Sequence, residues 1–247
     1  MNDELRAVHE RLARIEGLLT NSAEGPAGEP AWRRPTRVEG RWAVSLAVLV
    51  AIALQLLLPA HLAVHPQWLL PALEFLLLVA LLPATPSRAG RMGPLLRAGG
   101  LTLACAVSVA NGWSAVRLIE GLVRGTEESD AQALLLGAAS IWLTNIIVFA
   151  LWYWEWDRGG PVARAAGTQD TPDFLFPQMQ SPDPVHHEWE PAFADYLYVS
   201  FTDATAFSPT DTMPMSRWAK LLMTFQAMVS LLTLALVVAR SVNILKA

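Results

Sequence analysis

Residues 198–214 read YVSFTDATAFSPTDTMP, and an apolar stretch follows from about Trp218 to Leu245. The first segment is short, half polar and rich in Ser, Thr and Pro. The second exceeds the roughly 20 apolar residues that a helix needs to cross a bilayer. On paper, that order describes a re-entrant loop feeding a membrane helix. Irregular backbone at membrane depth persists only where protein buries it or where it lines a water-filled cavity. The stretch therefore marks either a pore or a packed, water-accessible polar site.

The rest of the chain carries the same message. Its 247 residues are 53% hydrophobic and 16% charged, with a net charge of -4. Soluble domains average roughly 25% charged residues. Four further apolar blocks run from about Trp42 to Leu58, Trp68 to Leu82, Leu95 to Leu122 and Ala131 to Trp154. They form a four-helix transmembrane region over 42–155. Trp152, Tyr153, Trp154 and Trp156 close the last block as an interfacial aromatic belt. A polar loop over 156–190 follows, and 191–247 holds the re-entrant loop and the final span. Ahead of these, Leu5, Val8, Leu12, Ile15 and Leu19 put a short a/d seam on residues 1–20. That amphipathic helix either lies on protein or membrane or self-associates. Residues 21–41, rich in Gly, Pro and charge, read as a flexible linker. The expected fold is all-α: five transmembrane helices, one re-entrant pore-like loop and a short N-terminal amphipathic helix.

Arginine placement sets the orientation. The first 41 residues hold seven arginines, and Arg88, Arg91 and Arg97 join blocks two and three, whereas the turn between blocks one and two holds none. The positive-inside rule puts the N-terminus in the cytoplasm of a cell (inner) membrane. Four crossings return the 156–190 loop to the same side and leave the C-terminus outside.

Intramembrane charges are Glu74, Arg117 and Arg240, each a functional hypothesis by default. Glu74 looks to one of the two arginines for a partner, and Arg117 also stands three residues from Glu120. Gln55, Asn111, Asn145 and Gln226 read as interhelical hydrogen-bonding glue. His186, His187, Glu188 and Glu190 are the one cluster with metal-ligand chemistry. Their spacing fits no standard zinc pattern, and a solvated loop is the reading. Cys105 is the lone cysteine and forms no intrachain disulfide. With no phosphate loop and no nucleophile elbow, neither enzyme activity nor a cofactor is expected. The grouped basic residues make no face for nucleic acid.

Residues 198–214 resemble the pore loop of two-transmembrane-type potassium channels. The pore-helix pattern falls on Tyr198, Ser200, Phe201 and Asp203, and the filter register on Thr205, Ala206, Phe207, Ser208, Pro209, Thr210 and Asp211, with Pro214 just beyond. An inner-helix-like run containing LALVVAR follows. Ser208 and Thr210 stand where the family has its filter glycines. Forcing such residues left-handed costs roughly 1–2 kcal/mol each, and Pro209 removes a bracing amide. The resemblance implies a homo-oligomer with a path for a monovalent cation of non-standard selectivity, Asp203 and Asp211 attracting the ion. Asp211 alternatively caps a turn. The chain end also resembles an uncharacterised family of bacterial multi-pass membrane proteins, which carries no established activity over. The missing filter glycines favour the alternative of a non-conducting scaffold or sensor.

Overall fold

The apolar blocks become helices whose buried residues recur at helical spacing. On α1 (Trp42–Leu57) the inward stripe is Val44, Val48, Ala51, Ile52 and Gln55. On α2 (Leu69–Leu81) it is Pro71, Glu74, Leu78 and Leu81. Steps of three and four keep each stripe on one side of the helix. Two long helices follow, α3 (Ala89–Arg124) and α4 (Ala131–Trp156), and α8 (Arg217–Lys246) ends the chain. Between α4 and α8 lie a 3-10 turn (Asp157–Gly159), α5 (Pro161–Ala165), α6 (Pro177–Gln180) and α7 (Phe193–Thr205). The only sheet among the described residues is a two-residue antiparallel pair, β1 (Phe174–Leu175) with β2 (Met213–Pro214). The computed structural model describes residues 30–81, 89–125, 131–180, 188–205 and 211–246. The expected 1–20 helix lies outside them.

α4 is the hub, packing against α1, α3, α7 and α8. From Ile146 to Tyr153 it is buried on nearly every side. Contacts fix its direction against its neighbours. Arg41, just before α1, pairs with Glu155 near the end of α4. At the other extreme Pro59 and Leu62, just beyond α1, lie against Gly137 near its start. Likewise Gly100, early in α3, sits against Glu155, while Leu118 clusters with Leu134. So α1 and α3 run one way and α4 runs back. α8 starts with Trp218 against Trp156 and ends with Val237 beside Leu134. The molecule therefore has two ends. One gathers residues 30–41, the start of α3, the end of α4, α5 and the start of α8. The other gathers the α1–α2 turn, the later part of α3, the start of α4 and Val237 of α8.

Three helices among the described residues are long and apolar enough to cross a membrane: Pro94–Arg124, Gln132–Gly159 and Arg217–Arg240. The chain is thus all-α with three candidate spans, the pattern of a multi-pass membrane protein. α1 and α2 are apolar but shorter, at 16 and 13 residues.

Three expectations need correcting. Linker residues 30–41 are fastened down: Ala31 and Trp32 are buried, the Thr36 amide donates to Ala165 O at 2.8 Å, and Arg158 donates to Trp32 O. A tryptophan's large apolar area outweighs the local Gly and Pro content. The 156–190 loop is not merely polar and irregular either. It buries Asp157, Arg158, Arg164, Phe174 and Phe176. Finally, Tyr153 and Trp154 are fully buried and form no belt. α7 and the N-terminal segment cover the last turns of α4, as the Trp154 contacts with Phe193 and Arg41 attest.

The helix stop after α4 is tight. Gly160 has φ +95° and its missing Cβ would sit 2.8 Å from Glu155 O. Gly160→Ala should therefore destabilise the protein by about 1–3 kcal/mol. Gly112→Ala meets nothing within 4 Å and should be neutral or stabilising by up to about 1 kcal/mol. Thermal unfolding of the two variants in detergent checks the contrast.

Candidate functional site

Helices α4, α7 and α8 meet at a buried polar knot. The inward stripe of α8 is Ala219, Met223, Gln226, Ser230, Thr233 and Val237, all buried. Its polar members need partners, because a buried polar group without one costs about 1–3 kcal/mol. Gln226 Nε2 donates to Ser200 O at 2.7 Å and lies 2.8 Å from Ser200 Oγ. The Tyr153 hydroxyl donates to Gln226 Oε1 at 2.6 Å. Ser200 Oγ in turn donates to Ile146 O of α4 at 2.7 Å. One turn along, Asn145 Nδ2 donates to Ser230 Oγ at 3.2 Å. Three helices are thereby stitched in one register.

α7 enters this knot from the end of the molecule where α4 finishes. Its first amide, Phe193 N, donates to Glu39 Oε1 at 2.9 Å, and Trp154 Nε1 donates to Glu39 Oε2 at 2.8 Å. A carboxylate at a helix N-terminus satisfies orphan donors and complements the dipole. Asp195 Oδ2 accepts from Ala192 N at 2.8 Å, a reciprocal cap. Burial pushes the Asp195 carboxyl above its ordinary value, with the Ala192 amide opposing. Deeper in, Phe201 meets Trp142 edge-on at 6.1 Å between ring centres. By Met213–Pro214 the chain is back at the starting end, paired with Phe174–Leu175. Helix in, chain out, same end: that is re-entrant geometry relative to α4 and α8.

A second polar lock holds the exit. Asp157 Oδ1 accepts from Asp173 N at 2.9 Å, and its Oδ2 accepts from the Tyr196 hydroxyl at 2.5 Å. Asp173 Oδ2 accepts from Arg158 N and its Oδ1 from Trp218 Nε1, both at 2.9 Å. Arg164 Nη1 donates to Trp154 O at 2.5 Å and Asp157 O at 3.0 Å. Loop, α4, α7 and the first turn of α8 are bound together by these contacts.

Of the expected pore-helix residues, Ser200 is buried in the knot, while Tyr198 and Phe201 are 55% and 47% exposed on the outer face of α7. Asp203 is half-buried, and its Oδ2 has no hydrogen-bond partner. In the filter register, Thr205 Oγ1 donates to Thr202 O at 3.0 Å, and Asp211 is exposed just before β2. Ala206, Phe207, Ser208, Pro209 and Thr210 lie outside the described residues. Glu74 is fully buried, but its partner is Gln55, whose Nε2 donates at 2.9 and 3.2 Å. The expected arginine pairing fails, because Arg117 bonds Glu120 at 3.2 Å on its own helix. Arg240 Nε is buried with no hydrogen-bond partner. His186 and His187 also lie outside the described residues. Glu188 pairs with Arg34 and Glu190 accepts from Thr36 Oγ1 at 2.6 Å. Among the described residues no group of three ligand-type side chains is placed to hold a metal.

Sequence reading missed Glu39, Tyr153, Glu155, Asp157, Asp173 and Tyr196 as a working set. The one available signal was Gln226, Ser230 and Thr233 at helical spacing in an otherwise apolar run. No protein-family model, no curated protein and no solved structure matches this chain.

The knot makes a graded prediction. Gln226→Leu strands the Tyr153 hydroxyl and Ser200 O, and should lower stability by about 2 kcal/mol or more. Ser200→Ala removes one donor and should cost about 1 kcal/mol. Unfolding midpoints of purified variants decide between this order and its reverse.

Proposed function

We propose that the chain is a five-span integral membrane protein whose last third is a pore-loop module. In this reading α4 is the outer helix, α7 the pore helix, residues 205–211 the filter register and α8 the inner helix. Copies of the chain assemble around an axis, and the filter registers contribute to a path for a monovalent cation. One observation carries the reading: α7 is clamped between α4 and α8 while its two flanks emerge at the same end of the molecule. The resemblance of 198–214 to potassium-channel pore loops supports it, and so does the unpartnered Asp203 oxygen. A lipid-exposed carboxylate is costly, so an acid here favours water or an ion beside it.

The five-span count rests on height. α1 reaches from Glu155 to Gly137 of α4, a distance of roughly 27 Å along a helix. That approaches the roughly 30 Å of a bilayer core. The end that gathers Arg33, Arg34, Arg37, Arg41, Arg97, Arg158 and Arg164 is the cytoplasmic one by the positive-inside rule. The pore-loop module then faces the cytoplasm, inverted relative to potassium channels. The absent filter glycines argue against potassium selectivity.

A second reading is favoured by the closed knot of Ser200, Gln226 and Tyr153. Those groups are satisfied by one another, as in a non-conducting scaffold or sensor. Purified full-length protein in planar bilayers separates the two. The pore reading expects cation current above empty-vesicle controls, a shifted cation preference in Asp211→Asn, and a discrete homo-oligomer in detergent. Folded protein that passes no current, or runs as a monomer, favours the scaffold.

A further inference from the structure

We propose that the cavity between the start of α3, the end of α4 and α5 binds the headgroup of a glycerophospholipid whose terminal group donates a hydrogen bond. The cavity is about 540 Å³, and its polar lining is Arg41, Arg97 and Glu155 against Pro94, Leu101 and Val162. That falls within the roughly 300–1,000 Å³ of ordinary ligand sites. It lies apart from the knot and does not depend on whether the protein conducts.

Glu155 is the centre of the cavity's polar wall. Its side chain is 3% exposed and Oε1 takes Arg41 Nη2 at 3.3 Å. The other oxygen, Oε2, is buried and has no hydrogen-bond partner. Gly100 permits this placement, since a Cβ there would sit 2.0 Å from Glu155 Oε1. Arg164, the other cation nearby, already serves Trp154 O and Asp157 O. Two features of the missing group follow. Arg41, Arg97 and Arg164 around Glu155 leave the site net positive, which suits a phosphodiester. Oε2 wants a donor, which an ethanolamine ammonium or a glycerol hydroxyl supplies and a choline does not. Burial holds the Arg41 guanidinium below its ordinary value, with Glu155 opposing.

The surroundings favour a lipid over a free phosphate. Trp42 and Leu95 beside the cavity's charged edge are 75% and 70% exposed, an apolar surface for acyl chains. Basic pockets between membrane helices on the cytoplasmic side are established headgroup sites.

The test titrates purified full-length protein in detergent, read by native mass spectrometry. The probes are dihexanoyl phosphatidylethanolamine, phosphatidylglycerol and phosphatidylcholine, with glycerophosphoethanolamine and inorganic phosphate as lipid-free arms. The ethanolamine and glycerol lipids should bind at least about tenfold tighter than the choline lipid, and Arg97→Gln should weaken them about tenfold or more. Both should also bind tighter than either lipid-free probe. Arg97 is exposed, so its variant keeps the fold, and Leu101→Trp gives a second, cavity-filling test. Equal affinity for ethanolamine and choline lipids, unchanged binding in Arg97→Gln, or phosphate binding as tightly as lipid overturns the proposal.

Discussion

Everything in the distal third of this chain depends on one carboxamide. Gln226 sits fully buried in the middle of an apolar helix. It takes the hydroxyl of Tyr153 on one side and gives to Ser200 on the other. Ser200 then reaches the backbone of α4 at Ile146. Remove that chain of bonds and α7 is held only near its start, by Glu39 at Phe193 N and by Asp157 at the Tyr196 hydroxyl. The rest of it keeps apolar contacts, which allow a helix to slide or rotate. Hydrogen bonds of fixed direction do not. The knot therefore sets the depth and rotation of a short helix that would otherwise have many near-equivalent seats.

The second constraint is electrostatic and sits at one end. Glu39, Glu155, Asp157 and Asp173 are interleaved with Arg41, Arg158 and Arg164 where the N-terminal segment, the end of α4 and the entries of α7 and α8 converge. The carboxylates of Glu39, Asp157 and Asp173 accept from backbone, ring and hydroxyl donors, and Arg158 and Arg164 donate to backbone carbonyls. The exceptions are informative: Glu155 Oε2 and Arg158 Nε are buried without hydrogen bonds. Buried ionic groups are weak evidence for stability. Their value here is positional, because they bring segments distant in sequence to one rim and so fix where α7 begins and where the chain returns at Met213–Pro214.

Much of this was legible in residue order. The long apolar runs around α3, α4 and α8 are unambiguous at bilayer length, and the half-polar stretch at 198–205 does fold as a short helix. What could not be read were pairings across the fold. Glu74 looks as if it needs an arginine, yet the neighbouring hairpin partner Gln55 reaches it first. The Trp154 cluster reads as interface because nothing local reveals that α7 will cover it. Asp157 and Tyr196 are 39 residues apart, and neither sits in a motif. Spacing within one element predicts a face; it does not say which other face will be pressed against it.

The central claim is that the chain around Ser200 goes in and comes out on the side where it started. Single cysteines at Thr168, Asp211 and Ala60, in a Cys105→Ala background, test it with a membrane-impermeant maleimide on sealed vesicles of both orientations. The account predicts that the cysteines at 168 and 211 label from the same face, the one bearing the N-terminal segment, and that the one at 60 labels from the other. A cysteine at 211 reacting together with the one at 60 would mean that α7 crosses the membrane, and the account would fail.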